Sequence, residues 1–237
     1  MSVILGINAF HAGASAALVI DGKIVAAIAE ERLNRAKYYA GFPALAIRKC
    51  LEMGGVKISE VDHLAIGRDS TANRMKKVEY VLKHPTRLLN LLKINAARNW
   101  LDDVPGLIAK ACDVDAAQFK FRQWHVEHHL AHTASAYFIS PWDRAAGITI
   151  DGSGDFVTCM LSACEGNRID VRQRIFVPHS LGSLYTMICE FLGYGEYGDE
   201  GKVMGLAPLG EDTYAEAFNE MVHLQNDGFR LNFKYFV

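Results

Sequence analysis

The apolar positions at the start of the chain form three short runs separated by turn-forming residues. These runs predict β-strands at 2–8, 16–20 and 23–30. The first run is unbroken, which is typical of a strand buried on both faces. Asp21-Gly22 stands between the second and third runs and predicts a two-residue hairpin turn.

A helix follows the charged segment at 30–37. Pro43 lies near its first turn, and Gly54-Gly55 ends it just after Met53. The next predicted elements are a strand at 61–67, helices within 68–117, a strand at 119–126 and a helix at 127–138 that stops before Pro141.

The opening pattern returns in the second half of the chain. It predicts strands at 145–150, 156–164 and 168–177, with a tight turn at 151–155. Two strand–turn–strand units of similar length indicate an internal duplication. We therefore predict a first lobe at 1–142, with a helical insertion at about 68–117, and the start of a second lobe at 143–237.

Composition places the chain among globular proteins. Half of its 237 residues are hydrophobic and 22% are charged, which argues against disorder, and the net charge of -2 excludes a uniformly basic nucleic-acid binder. The five cysteines form no CxxC pair, and the first basic residue is Lys23. We therefore expect a soluble cytoplasmic protein without a signal peptide or membrane span.

A basic segment lies between 68 and 98, where eight Lys or Arg stand against the acids Asp69 and Glu79. Such charge runs are usually solvated faces, so a solvated helical insertion is the interpretation we favour. A docking surface for a partner or a polyanion is the alternative.

Four of the nine histidines fall between 125 and 132. On a helix, His128 and His132 stand one turn apart and share a face, so both imidazoles can bind one metal ion such as Zn or Fe. His129 faces another direction, and His125 precedes the helix. Two ligands are too few, so a carboxylate must come from elsewhere. The alternative is a helix start whose histidines cap and hydrogen-bond.

Three other segments carry candidate binding or catalytic residues. The glycines of 151–155 let a phosphate approach, and its carboxylates can hold a metal, although a hairpin turn needs similar residues. His11 lies in a Gly- and Ala-rich turn, where it acts either as a general base or as a structural residue. Lys202 lies between glycines. This arrangement suits anion binding, and the alternative is an exposed loop without a binding role.

Together these segments resemble the nodulation-protein and cephamycin-type O-carbamoyltransferase family, which is similar to the tRNA threonylcarbamoyl-transfer proteins. The matching motifs are GIN…H…ASAAL…DG at 6–22, EER…R.K at 30–37, AGFP at 40–43, VEHHLAH.ASAY at 126–137, ITIDG.GD at 148–155 and EGKVMGLAP.G at 200–210. They keep their order over nearly the whole chain.

The resemblance implies an α/β fold of the actin-like, sugar-kinase-like (ribonuclease H-like) type, duplicated, with its first lobe complete and its second lobe truncated. It implies transfer of a carbamoyl group from carbamoyl-adenylate to a hydroxyl of a small-molecule acceptor. A separate C-terminal domain would make the adenylate from carbamoyl phosphate and ATP. The implied residues are His128 and His132 for a divalent metal (Fe or Zn), His11 and Lys37 for transfer, and Gly152, Ser153, Gly154, Asp155 and Lys202 for the nucleotide.

The chain departs from the family pattern in its first loop. Family members usually have an aspartate just after the loop histidine, where this chain has Ala12 and Gly13. This departure favours a non-catalytic nucleotide- or partner-binding module, and the basic segment keeps tRNA threonylcarbamoyl transfer open as a second enzymatic alternative. We expect the third metal ligand and the adenosine-binding part beyond Val237.

Overall fold

The computed structural model describes residues 1–85, 103–226 and 228–236 and has a mixed α/β fold. The chain forms two compact units, Met1–Val126 and Glu127–Val237. We predicted a division at residue 142, whereas the compact units divide earlier, so the helix with the paired histidines belongs to the second unit. Among the described residues, no helix combines the length and the apolar character that crossing a membrane requires.

A five-stranded sheet in the order β3-β2-β1-β4-β5 forms the centre of the first unit. Its strands are β1 (Val3–Asn8), β2 (Ser15–Ile20), β3 (Lys23–Ala29), β4 (His63–Ile66) and β5 (Arg122–His125). β2 lies antiparallel to β1 and β3, while β4 lies parallel to β1 and β5. Asp21 and Gly22 have φ values of 50° and 78°, which confirms the predicted hairpin turn.

The described helices of this unit are α1 (Glu31–Asn34), α2 (Ala44–Gly54), α3 (Arg74–Lys83) and α4 (Val104–Cys112). Gly55 follows the last residue of α2, and its φ of 62° gives the left-handed C-cap that the glycine pair predicted. Residues of α2 and α4 share one apolar core with alternate residues of the sheet. β1 therefore alternates buried and half-buried positions, and the predicted burial on both faces is wrong.

The predicted insertion at 68–117 divides into two kinds of helix. α3 is largely exposed, with Met75 81% and Leu82 77% accessible. α4 contributes the fully buried Val104 and Ile108 to the core, so this part is not a solvated insertion. Residues 86–102 of the prediction lie outside the described residues.

The second unit contains a three-stranded antiparallel sheet in the order β6-β7-β8. Its elements are α5 (His128–Tyr137), β6 (Arg144–Gly154), β7 (Val157–Glu165), β8 (Arg168–Phe176), α6 (Leu181–Phe191), α7 (Glu200–Leu206), α8 (Ala215–Met221), β9 (Val222–Gln225) and β10 (Gly228–Leu231). α5 and α6 both pack against β6. Each unit thus begins its sheet with three antiparallel strands, while the complete duplicated fold stays a prediction.

The predicted tight turn at 151–155 is wrong in its position. β6 continues to Gly154, with an irregular register between Ile150 and Gly154. The chain reverses at Asp155 and Phe156, whose φ values are 49° and 77°. The irregularity lets the strand extend past the regular ladder, so Asp151 stands within the strand and not in a loop.

Candidate metal centre

Helix α5 carries the predicted pair of histidines on one face. The imidazole centroids of His128 and His132 lie 4.5 Å apart, as expected for residues one turn apart. Glu127 precedes the helix, and its carboxyl pairs with Arg174 of β8 through two hydrogen bonds of 2.8 and 2.6 Å. This bidentate pair anchors the start of α5 to the sheet.

Asp151 of β6 reaches both imidazoles. Its Oδ2 lies 2.9 Å from Nε2 of His128 and 3.7 Å from Nε2 of His132, and the two Nε2 atoms lie 3.0 Å apart. Its Oδ1 accepts the backbone N–H of Gly152 at 2.6 Å. Within the described ranges, these three side chains form a group whose ligand atoms could hold a metal ion.

The spacing of the three donor atoms fits a first-row metal ion. Metal–nitrogen and metal–oxygen bonds of about 2.0–2.2 Å at tetrahedral or octahedral angles place neighbouring donors about 3–3.5 Å apart. The observed separations of 2.9, 3.0 and 3.7 Å lie at or just outside that range. Two imidazoles and one carboxylate are a donor set used for both zinc and non-haem iron.

The electrostatic surroundings of Asp151 favour its ionised form, which is the form that binds a metal ion. Hydrogen bonding by His128, and secondarily by His132, holds the pKa of Asp151 far below its ordinary value, although burial acts in the opposite direction. Asp151 is therefore ionised at neutral pH. The side chain of His132 is 53% exposed and that of His128 is 12% exposed, so the donor group opens to solvent on the His132 side.

The segment after Asp151 packs against the start of α5. The Asp155 carboxyl accepts the backbone N–H of His128 at 2.9 Å. A methyl group at Gly154 would overlap the His128 imidazole. Ser180, the N-cap of α6, donates its hydroxyl to the carbonyl of Gly152 at 2.7 Å. The predicted nucleotide contacts of Gly152, Ser153, Gly154 and Asp155 stay predictions.

The two other histidines of the motif lie apart from the donor group, as predicted. His129 is fully buried, with Nδ1 2.7 Å from Thr149 Oγ1 and Nε2 3.0 Å from the Val157 carbonyl. Burial lowers its pKa, so it packs as a neutral side chain. His125 lies on β5 in the first unit, where Gln123 contacts its Nε2.

His11 and Lys37 belong to the first unit. His11 lies in the turn between β1 and β2, and this turn bonds to the segment before Pro43: Phe10 N–H donates to the Gly41 carbonyl and Ala14 N–H to the Tyr39 carbonyl. The ammonium of Lys37 lies 4.7 Å from the centre of the Tyr38 ring. Their roles in transfer stay predictions.

Lys202 lies on helix α7, so the alternative of an exposed loop is wrong for this segment. Its Nζ lies 2.5 Å from Oδ1 of Asp199, and this hydrogen bond raises the pKa of the lysine. Thr186 of α6 donates to Glu200 at 2.7 Å, which ties α7 to α6. A nucleotide contact by Lys202 stays a prediction.

Asp151 was not predicted as the partner of the two histidines, because the third ligand was expected beyond Val237. The structure supplies a third donor within the chain. The sequence held a signal, because Asp151 directly follows the apolar run at 145–150 and carboxylate oxygens are common metal ligands. The sequence did not show that this part of β6 packs against the first turn of α5.

Comparison with known proteins agrees with the resemblance found in the sequence. Residues 3–237 match the family model described as Carbamoyltransferase N-terminus. The chain is 37% identical to an uncharacterized Synechocystis protein, sll1178, over 100% of this chain and 40% of that protein. It is 34% identical to nodulation protein NolNO of Sinorhizobium fredii, over 94% of this chain and 32% of that protein.

The chain therefore spans less than half the length of these curated relatives. Among solved structures, YeaZ from Pseudomonas aeruginosa aligns with 75% of this chain and 71% of its own chain, at 18% identity and a TM-score of 0.37. Because the family model matches nearly every residue, the chain belongs to the carbamoyltransferase N-terminus family.

Proposed function

We propose that this chain forms part of a metal-dependent enzyme that transfers a carbamoyl group to a hydroxyl of a small molecule. The observation that carries the proposal is the convergence of His128 Nε2, His132 Nε2 and Asp151 Oδ2 in a chain of the carbamoyltransferase family. Family membership supports a transferase, and the donor group supplies a place where the transferred group could be polarised.

The metal would be held by His128, His132 and Asp151. When bound, a zinc or iron ion would act as a Lewis acid on the carbamoyl carbonyl or on a phosphate oxygen. Catalytic metal sites commonly keep three protein ligands and leave a further position for water or substrate. The exposed side of His132 is consistent with such an open position.

In the proposed reaction, the carbamoyl donor is carbamoyl-adenylate, made from carbamoyl phosphate and ATP by a separate domain. The acceptor oxygen forms a bond to the carbamoyl carbon, and the bond from that carbon to the phosphate oxygen of AMP breaks. His11 takes the hydroxyl proton as general base, and Lys37 stabilises the negative charge that develops. AMP leaves, and the product is an O-carbamoylated metabolite.

The proposed setting is an actin-like duplicated fold. The sheet of the first unit, with its order β3-β2-β1-β4-β5 and its antiparallel start, supports this proposal. The second unit repeats the antiparallel start. Gly152, Ser153, Gly154 and Lys202 are the residues proposed to contact the nucleotide, and the predicted contact of Asp155 is left out because its carboxyl is buried.

The alternative of tRNA threonylcarbamoyl transfer has less support. Its sequence argument was the basic segment, yet two described lysines of that segment, Lys76 and Lys83, pair with Glu79 at 3.0 and 2.7 Å. These contacts lower the pKa of Glu79 to about 2, chiefly through Lys83. The basic face of α3 is therefore partly neutralised.

Metal analysis tests the proposal. The chain should bind one equivalent of Zn²⁺ or Fe²⁺, measured by elemental analysis after gel filtration and by titration. His128→Ala and His132→Ala should lower the affinity more than about 100-fold, because loss of an outer-shell partner alone costs about 10- to 100-fold. The control is His223→Ala, which removes an exposed imidazole from β9.

Transfer activity should follow metal content in the full-length protein, with carbamoyl phosphate and ATP as substrates. Full metal affinity in both histidine variants would contradict the metal centre. Metal loss with undiminished carbamoyl transfer would contradict its role in the reaction.

A further inference from the structure

Three residues of the segment from Asp151 to Asp155 contact one residue, His128. Asp151 contacts the imidazole Nε2 at 2.9 Å, Gly154 lies against the ring, and Asp155 accepts the backbone N–H at 2.9 Å. Residues 151, 154 and 155 thus contact the Nε2 atom, the ring and the backbone N–H of His128, respectively. This suggests a use for the second aspartate of the segment other than contact with a nucleotide.

The surroundings of Asp155 do not suit a phosphate ligand. The residue is 4% exposed, so a nucleotide in solvent has little access to it. A carboxyl group also repels phosphate. In contrast, the backbone N–H of His128 lies in the first turn of α5, where helix N–H groups have no partner within the helix. The Asp155 carboxyl supplies that partner, and negative charge is favourable at a helix N-terminus.

We propose that Asp155 is a positioning residue for the metal centre. Its carboxyl fixes the first residue of α5 to the turn between β6 and β7, which also adjoins the strand that carries Asp151. The bond thereby holds the His128 imidazole at the distance from Asp151 that a shared ion requires. This inference rests on the proposed metal-dependent function.

If Asp155 positions His128, metal affinity should depend more on the side-chain oxygen of residue 155 than on its backbone conformation. Asp155 has a φ of 49°, which asparagine and glycine both tolerate. Asp155→Asn keeps a side-chain oxygen, whereas Asp155→Gly keeps only the conformational freedom. Asp21 offers a matched control, since its φ is 50° and its Oδ1 accepts the backbone N–H of Ser2 at 2.7 Å in the other unit.

The experiment uses Co²⁺ as the probe on the full chain and on the variants D155N, D155G and D21G. The visible absorption of bound Co²⁺ reports coordination geometry, and titration gives affinity. We expect D155G to weaken Co²⁺ binding about 10- to 100-fold, as for other outer-shell partners, and to change the spectrum. D155N should retain the spectrum and affinity of the parent chain, and D21G should leave both unchanged.

Hydrogen exchange at the His128 amide, measured without metal, supplies a second readout. D155G should lose protection there, and D155N should keep it. Parent-like Co²⁺ binding by D155G, or equal weakening by D155N and D155G, would overturn the positioning role. Failure of the parent chain itself to bind Co²⁺ would instead overturn the proposed metal centre, and the positioning role with it.

Discussion

At the residue scale, His128 and His129 are neighbours with opposite environments. His129 is fully buried and hydrogen-bonded at both ring nitrogens, while His128 turns its Nε2 towards Asp151 and His132. Successive residues of a helix point about 100° apart, so adjacent side chains face different surroundings. One histidine therefore packs α5 onto the sheet, and the other is available to bind a metal.

The His128 imidazole occupies the space that a side chain at position 154 would fill. Gly154→Ala should weaken metal binding about 10- to 100-fold, because the added methyl overlaps the imidazole and displaces it. Gly152→Ala is the matched control, since nothing lies within 4 Å of its added Cβ. Titration with Zn²⁺ checks both, and equal affinities in the two variants would contradict the packing argument.

At the scale of elements, the first glutamate of the EER motif connects helix α2 to the sheet. Glu30 is 3% exposed and accepts the backbone N–H groups of Leu45 and Ala46 at 3.1 and 2.7 Å. Its own N–H donates to the Ala14 carbonyl at 2.8 Å. Glu30 therefore ties the turn that carries His11 to the start of α2, a structural use that the motif alone did not reveal.

Glu30→Ala should destabilise the first unit by about 1–3 kcal/mol, because it removes a helix cap and leaves buried N–H groups without an acceptor. Glu30→Gln should recover part of the loss. Glu52→Ala, which breaks only an exposed pair with Lys49 on the same helix, should cost less than about 1 kcal/mol. Chemical denaturation followed by circular dichroism measures all three, and equal losses for Glu30→Ala and Glu52→Ala would refute the cap.

At the scale of the whole molecule, the candidate residues divide between the two units. His11 and Lys37 lie in Met1–Val126, and the metal donors all lie in Glu127–Val237. Metal binding should therefore depend on the second unit alone. Carbamoyl transfer, as proposed, needs residues from both.

This division gives separable phenotypes. In the full-length protein, His11→Ala should lower carbamoyl transfer about 100-fold or more, the usual loss for a general base. Its metal affinity should equal that of the parent. Lys37→Ala should also lower carbamoyl transfer and leave the metal affinity unchanged. A His11→Ala protein that transfers at the parent rate would remove the histidine from the reaction, and one that loses metal would show that the units are not independent in binding.

The sequence by itself determined the elements whose causes are local. The hairpin at Asp21-Gly22, the end of α2 at Gly55 and the shared face of His128 and His132 follow from backbone preference and from helical periodicity, which act over a few residues. The order of the motifs also identified the family.

Only the tertiary structure decided what those elements bring together. It placed Asp151 beside the two imidazoles, moved the reversal from 151–155 to Asp155 and Phe156, and buried α4 in the core. Each of these depends on strand register or on packing between segments distant in sequence, and residue types alone do not fix either. The sequence pattern predicted two of the ligands, whereas the third donor depends on how β6 packs against α5.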